Sequence, residues 1–252
     1  MKRTLSESPE DNWQWPPTNW SVSGRLPSSL GNDADRLNEL ILRYQVPLRA
    51  YLLAAFPGLE PAADECLQDF VQDRMLKAGW LGKADRERGR FRDFLKTSLK
   101  NFVRDRLSRR GKEPLALEEL ELDPSAEQSS QEAFGLEWAR AILSETLKRM
   151  EQDCKTPRKN EPHRPQIWDI FRLRLLQPIF EGAEPVGYEE LVSRLGIVSP
   201  FAAQNLLATA KRIFGRHLTE VIAEYEQGGE AARAELQDLK SFLARLTRKK
   251  KE

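Results

Sequence analysis

Four cations, Arg92, Lys96, Lys100 and Arg104, recur every four residues within the stretch FRDFLKTSLKNFVRDRLSRR, residues 91–110. That interval places them on one face of a helix. A helix of this length runs about 30 Å, and a nucleic-acid strand presents a phosphate roughly every 3.4 Å, so the row matches several successive phosphates. A solvated charged face is the alternative, and this helix alone does not choose between the two. Phe91, Phe94, Leu95, Ser98, Leu99, Phe102 and Leu107 form a second, apolar stripe that belongs to a core. Just upstream, WLGKADRERGR (80–90) sets Trp80 beside several arginines, Arg90 among them. An exposed tryptophan with arginines stacks on unpaired bases and pairs with phosphates; the alternative is that Trp80 plugs the end of a helix bundle.

Two other stretches carry recognisable chemistry. In AADECLQDFVQDRMLKAG, residues 62–79, the apolar side is Cys66, Leu67, Phe70, Val71 and Met75, while Asp64, Gln68, Asp69, Gln72 and Asp73 crowd the remaining surface. Soluble helix faces commonly mix both signs, and this one offers acids and amides alone until Arg74. A docking face for a basic or polar partner helix stands beside the plain solvated reading. Further on, Tyr188 to Gly196 reads as a short helix closed by Leu195-Gly196, and Ser199-Pro200 caps and opens another. Two helices joined by so short a turn have the helix-turn-helix layout. Gln204 and Asn205, near the start of the second, are the types that pair bidentately with adenine, and Lys211, Arg212 and Arg216 suit phosphates.

Catalytic chemistry has no comparable signature. The two histidines, His163 and His217, lie far apart with no cysteine near either, and Cys66 and Cys154 both fall in helical patterns. No disulfide framework, thiolate metal site, phosphate-cradling glycine loop or nucleophile elbow is expected. Neither an enzyme nor a cofactor is read from the chain.

The elements that must position these groups follow from periodicity and charge. Over 252 residues the net charge is +1, but neutrality is an average of opposed segments. Residues 74–112 are strongly basic, and Glu113 to Glu137 is an acidic run with no Lys or Arg before Arg140. An all-α fold is expected, with two helical domains joined by an acidic flexible linker. Residues 1–31, with Trp13, Trp15 and Trp20, read as mostly disordered; 32–112 form a first helical domain; 113–132 are the linker. Residues 133–226 form a second domain containing the helix-turn-helix, and 227–252 form a helical tail broken from it by Gly228-Gly229. Pro47 is expected to kink or divide the first helix, and Pro178 to stop or kink a helix over 167–180. No apolar run approaches a membrane span, so a cytoplasmic protein without a membrane partner is expected.

In this order, the acid-amide helix, the arginine-rich loop and the basic helix resemble the promoter- and polymerase-binding domain of bacterial sigma factors. Asp64-Glu65-Cys66-Leu67-Gln68-Asp69-Phe70 is similar to that family's acid-amide motif. ADRERGRFRDFL, residues 84–95, is particularly close to a subgroup of the extracytoplasmic-function class, as are Asn19-Trp20-Ser21 and Glu235 to Leu239. The likeness covers nearly the whole chain. It implies that Asp64, Gln68, Asp69, Gln72 and Asp73 bind core RNA polymerase, at the clamp coiled coil of its largest subunit. It assigns Trp80, Arg90, Arg92, Phe94, Lys96, Lys100, Asn101 and Arg104 to opening and reading the minus-ten element, where many relatives carry Trp at the position of Phe94. It assigns Gln204, Asn205, Lys211, Arg212 and Arg216 to the minus-thirty-five element, although this helix has no cation before Lys211. The acidic linker would thread the RNA-exit path, and an anti-sigma factor is a possible further partner. A stand-alone helix-turn-helix regulator, and a helical interaction protein with a merely solvated basic face, are the alternatives.

Overall fold

The computed structural model describes residues 34–77, 90–110, 124–159, 161, 163–226 and 229–248. The expected disorder of 1–31, the Trp80 loop and the stretch 113–123 lie outside these residues, as does the end of the tail. Every regular element among the described residues is helical: α1 (Ala34–Ala55), α2 (Ala63–Phe70), α3 (Phe91–Arg110), α4 (Pro124–Lys155), α5 (Arg164–Phe171), α6 (Gln177–Glu181), α7 (Tyr188–Leu195), α8 (Pro200–Ala223) and α9 (Gly229–Arg248). A 3-10 turn, Pro57–Ala62, leads into α2, and single π turns extend α2 over Val71–Met75 and join α5 to α6 over Arg172–Leu176.

Pro47 lies inside α1 without dividing it. A proline in a helix interior costs about 3 kcal/mol, while burying a large apolar side chain contributes roughly 1.5–3 kcal/mol. Tyr44, Leu48, Tyr51 and Leu52, on either side of Pro47, are each at most 1 % exposed. Packing on that scale outweighs the missing hydrogen bond. Pro178 sits in α6 just after the π turn, and the helix ends at Gly182, whose φ of 73° is the left-handed conformation that glycine adopts without strain.

The core is not partitioned at 113–132 as the sequence leads one to expect. One apolar cluster joins Tyr44, Leu48 and Leu52 of α1, Phe70 of α2 and Leu95 and Leu99 of α3 to Phe134, Trp138 and Ile142 of α4, Leu218 and Ile222 of α8 and Leu239 of α9. Residues 124–132, assigned to a flexible linker, form the first turns of a 32-residue helix. The reason lies in register: Ser130, Phe134 and Trp138 recur every four residues and are each at most 1 % exposed, so this helix start is held by packing despite its polar composition. Two smaller clusters build the far end. Met150, Cys154, Ile167, Trp168 and Ile213 join α4, α5 and α8, and Ile170, Ile197, Ala203 and Leu207 seat the α7–α8 turn on α5. Because α4 and α8 contribute both to the cluster with α1–α3 and to the cluster with α5, the parts expected as separate domains share one core.

Candidate nucleic-acid interface

The α7–α8 pair forms where its capping residues require. Gly196, at φ 64°, closes α7, and the Ser199 side chain accepts a hydrogen bond from the Ala202 N–H at 3.1 Å to open α8, with Pro200 in its first turn. Leu191, Ile197, Ala203 and Leu207 face inward. Gln204, Asn205, Ala208 and Arg212 are exposed on the opposite side, and beside them Val198 is 92 % and Phe201 70 % exposed. The sequence reading passed over these last two; their signal is an apolar residue on the outward register of a helix whose inward register is already filled. α8 carries no acid before Glu220. Lys211 is half-buried, and Arg212 donates to Thr209 Oγ1 at 3.0 Å.

Arg216 is drawn elsewhere. Its Nη2 lies 2.8 Å from Asp153 Oδ2, in a hub where Asp153 also meets Arg158 at 2.5 Å, His217 Nε2 at 3.1 Å and the buried Arg164. Burial opposes the charge on Asp153, yet the hydrogen bond with His217 and the charges of Arg164 and Arg158 prevail and hold its carboxyl below the usual value. A residue expected at phosphates therefore ties α8 to α4.

The basic row of α3 faces acids rather than solvent. Arg92 is 6 % exposed; it meets Asp238 of α9, its Nε lies 3.1 Å from Glu235 Oε1, and its guanidinium sits 4.5 Å from the Trp138 ring centroid. Arg90 also pairs with Asp238 and lies 3.9 Å from Glu235. Lys96, 9 % exposed, meets Gln131 of α4, lies 2.9 Å from Asp93, and sits over Phe134 at 5.1 Å. Lys100 reaches Glu127 at 2.9 Å. Arg104 is half-buried, Phe94 is half-buried against the core, and Asn101 is exposed. Of the side chains expected at a separated strand, Asn101 alone among the described residues is fully open, and Trp80 lies outside them. The cover was missed because it comes from far along the chain. Its one local signal is Glu235, a carboxylate on the same helical face as Ala232, Leu239 and Phe242.

Burial pushes the Glu235 carboxyl up to about 7, with nearby Glu226 adding to the effect and Arg92 and Arg90 opposing it. Asp238 behaves oppositely: burial works against its charge, but hydrogen bonds and attraction from Arg90 and Arg92 hold it below the usual value.

On α2, Gln68 and Gln72 are exposed, as are Asp64 and Asp73, and Asp69 is half-buried. The acids have partners within the chain: Asp64 is bidentate with Arg49 at 2.6 and 3.2 Å, Asp69 meets Arg106, and Asp73 lies 3.8 Å from Lys77. Between α2 with its π turn and α3 lies an open groove of about 590 Å³, lined in part by Asp69, Asp73, Arg74, Phe102 and Arg106.

Among the described residues no helix is long and apolar enough to cross a membrane, and no group of three His, Cys, Asp or Glu could hold a metal ion. Neither protein-family models, nor curated proteins, nor solved structures gave a match to the chain.

Proposed function

We propose that this chain is a transcription initiation factor of the cytoplasm that binds core RNA polymerase through the α2 surface and directs it to promoter DNA. The observation that carries the reading is the α7–α8 pair, a capped two-helix unit that leaves Gln204 and Asn205 exposed on a face without acids. Amides so placed pair with base edges in a major groove. The exposed Gln68 and Gln72 beside the α2–α3 groove support a partner helix there, and the resemblance of residues 64–70 and 84–95 to sigma factors supplies the identity of that partner. Residues 113–123 at the RNA-exit path, ahead of the packed start of α4, and an anti-sigma partner belong to the same reading.

The test is co-purification with core polymerase at moderate salt, comparing wild type with Gln68→Ala/Gln72→Ala. This pair spares the Asp69–Arg106 contact that ties α2 to α3, so loss of binding is not loss of fold. Stoichiometric capture by wild type, reduced about tenfold or more in the double variant, supports the reading; no capture by wild type removes it. A second reading, a regulator that binds duplex DNA without polymerase, is favoured by the covered row of α3, since such a protein needs the α8 face alone. Duplex binding without polymerase capture selects it.

A further inference from the structure

The partners of Arg90 and Arg92 come from the last described helix, and they are carboxylates. Two oxyanions on successive positions of one helix face, Glu235 and Asp238, meet two guanidiniums, Arg90 just before α3 and Arg92 in its first turn. Carboxylates and phosphates take the same charge-assisted contacts from arginine. We infer that α9 is an internal lid on the basic face of α3, with Asp238 and Glu235 occupying the places of phosphates, and that single-stranded DNA competes with α9 for Arg90 and Arg92. The inference rests on the initiation-factor reading, in which the resemblance assigns Arg90 and Arg92 to a separated strand, and adds the regulation of that contact.

Three features make α9 a lid rather than a fixed wall. Its buried apolar hold on the core is small, Ala232 and Leu239, whereas α4 is built into the same core through Phe134, Trp138, Ala139, Ile142 and Leu143. Its seat is shaped for it: Phe242 lies edge-on to Trp138 with ring centroids 6.4 Å apart, and a Cβ at Gly135 would stand 1.9 Å from Phe242 Cζ. Finally, the seat is imperfect. Arg92 Nε and Glu235 Oε1 are 3.1 Å apart, yet neither has a hydrogen-bond partner, and Glu235 Oε2 has none either. A buried carboxylate without hydrogen bonds disfavours the closed state. Asp238 latches the lid and Glu235 weakens it.

The groups facing Glu235 are Arg92 of α3 and Arg90 just before it, Tyr44 of α1, Tyr225 and Glu226 just after α8, and Asp238 on α9 itself. A carboxyl raised to about 7 is protonated more readily in the closed state than in the open one. Closure is therefore favoured as pH falls from about 7 towards the ordinary carboxylate range, and weakens as pH rises through about 7. Strand binding gains at the higher pH.

Two variants open the lid by different routes. Asp238→Asn removes the latch charge, and Gly135→Ala pushes Phe242 off its seat without touching an ion pair, while favouring the helix of α4. Binding of a labelled oligothymidylate is measured for both, with helicity and unfolding midpoints confirming the fold. The expected result is tightening by about tenfold in each, the scale of one charge-assisted hydrogen bond, with a log–log salt slope steeper by about 0.7 for each arginine freed. Wild-type binding should tighten between about pH 6 and 8, and Glu235→Gln should flatten that rise. Unchanged affinity in both folded variants overturns the lid, as does an absence of oligothymidylate binding throughout. Polymerase capture scores the initiation reading separately: the lid fails with capture intact, or stands with capture absent.

Discussion

Arg92 on α3 is 6 % exposed and Phe201 on α8 is 70 % exposed, although the first belongs to the most basic stretch of the chain and the second to a helix with no cation before Lys211. α3 has the charge of a nucleic-acid-binding helix, but its row is turned toward Glu127, Gln131, Glu235 and Asp238. α8 lacks that charge, and its outward face is open because its apolar register is satisfied by α5 and α7. The difference teaches that a charged row defines a surface only after its distant partners are placed. Those of α3 lie up to 146 residues away in sequence. An open face, by contrast, is marked by what remains once the core positions are taken.

The sharpest way to break this comparison is stability. Arg92→Ala would strand Glu235 and Asp238 beside a lost counter-charge and should lower the unfolding free energy by about 3 kcal/mol, while Arg212→Ala on α8 should change it by no more than about 0.5 kcal/mol. Denaturant unfolding of both settles it, and equal small effects would return α3 to a solvated face. Next in size is recognition. Gln204→Ala/Asn205→Ala should weaken binding to a favoured duplex by about 1–3 kcal/mol per base pair read with an unchanged unfolding midpoint, measured by fluorescence anisotropy.

The Asp153 hub extends the comparison to the other cations of α8, since it engages Arg216. Asp153→Asn should cost about 2 kcal/mol at neutral pH. Because the folded-state value of Asp153 lies below its ordinary 3.8, that contribution is intact above 3.8 and is lost as pH falls through the lowered value. Acid titration of wild type and variant should therefore converge at low pH. Within the row of α3 the smallest effect is expected at Lys100, whose pair with Glu127 is partly exposed: Lys100→Ala should cost at most about 1 kcal/mol, and a larger loss would place it with Arg92.

Much of the fold was legible because it is local. The apolar stripes of α1 and α3 and the Gly196 and Ser199-Pro200 caps of the α7–α8 turn can all be read within a few residues of sequence. Three things were not. The start of α4 at Pro124 depends on Phe134 and Trp138 finding their places in a distant core. Pro47 stays inside α1 because buried neighbours on both sides outweigh its lost hydrogen bond. The cover on Arg92 required knowing that a carboxylate at 235 falls on the inward register of α9. Each is a tertiary effect overriding a local rule. The same limit applies to the candidate site. The exposure of Gln204 and Asn205 follows from helix register, whereas the burial of Lys96 and the capture of Arg216 by Asp153 depend on helices brought together by folding.

In the proposed reading the free chain presents α8 to duplex DNA while the basic row of α3 stays covered. Hydrogen exchange with and without a mixed-sequence duplex at low salt tests it directly. Slower exchange in the first half of α8, with residues 91–104 unchanged, is the predicted result. Protection of 91–104 with α8 unaffected would contradict it.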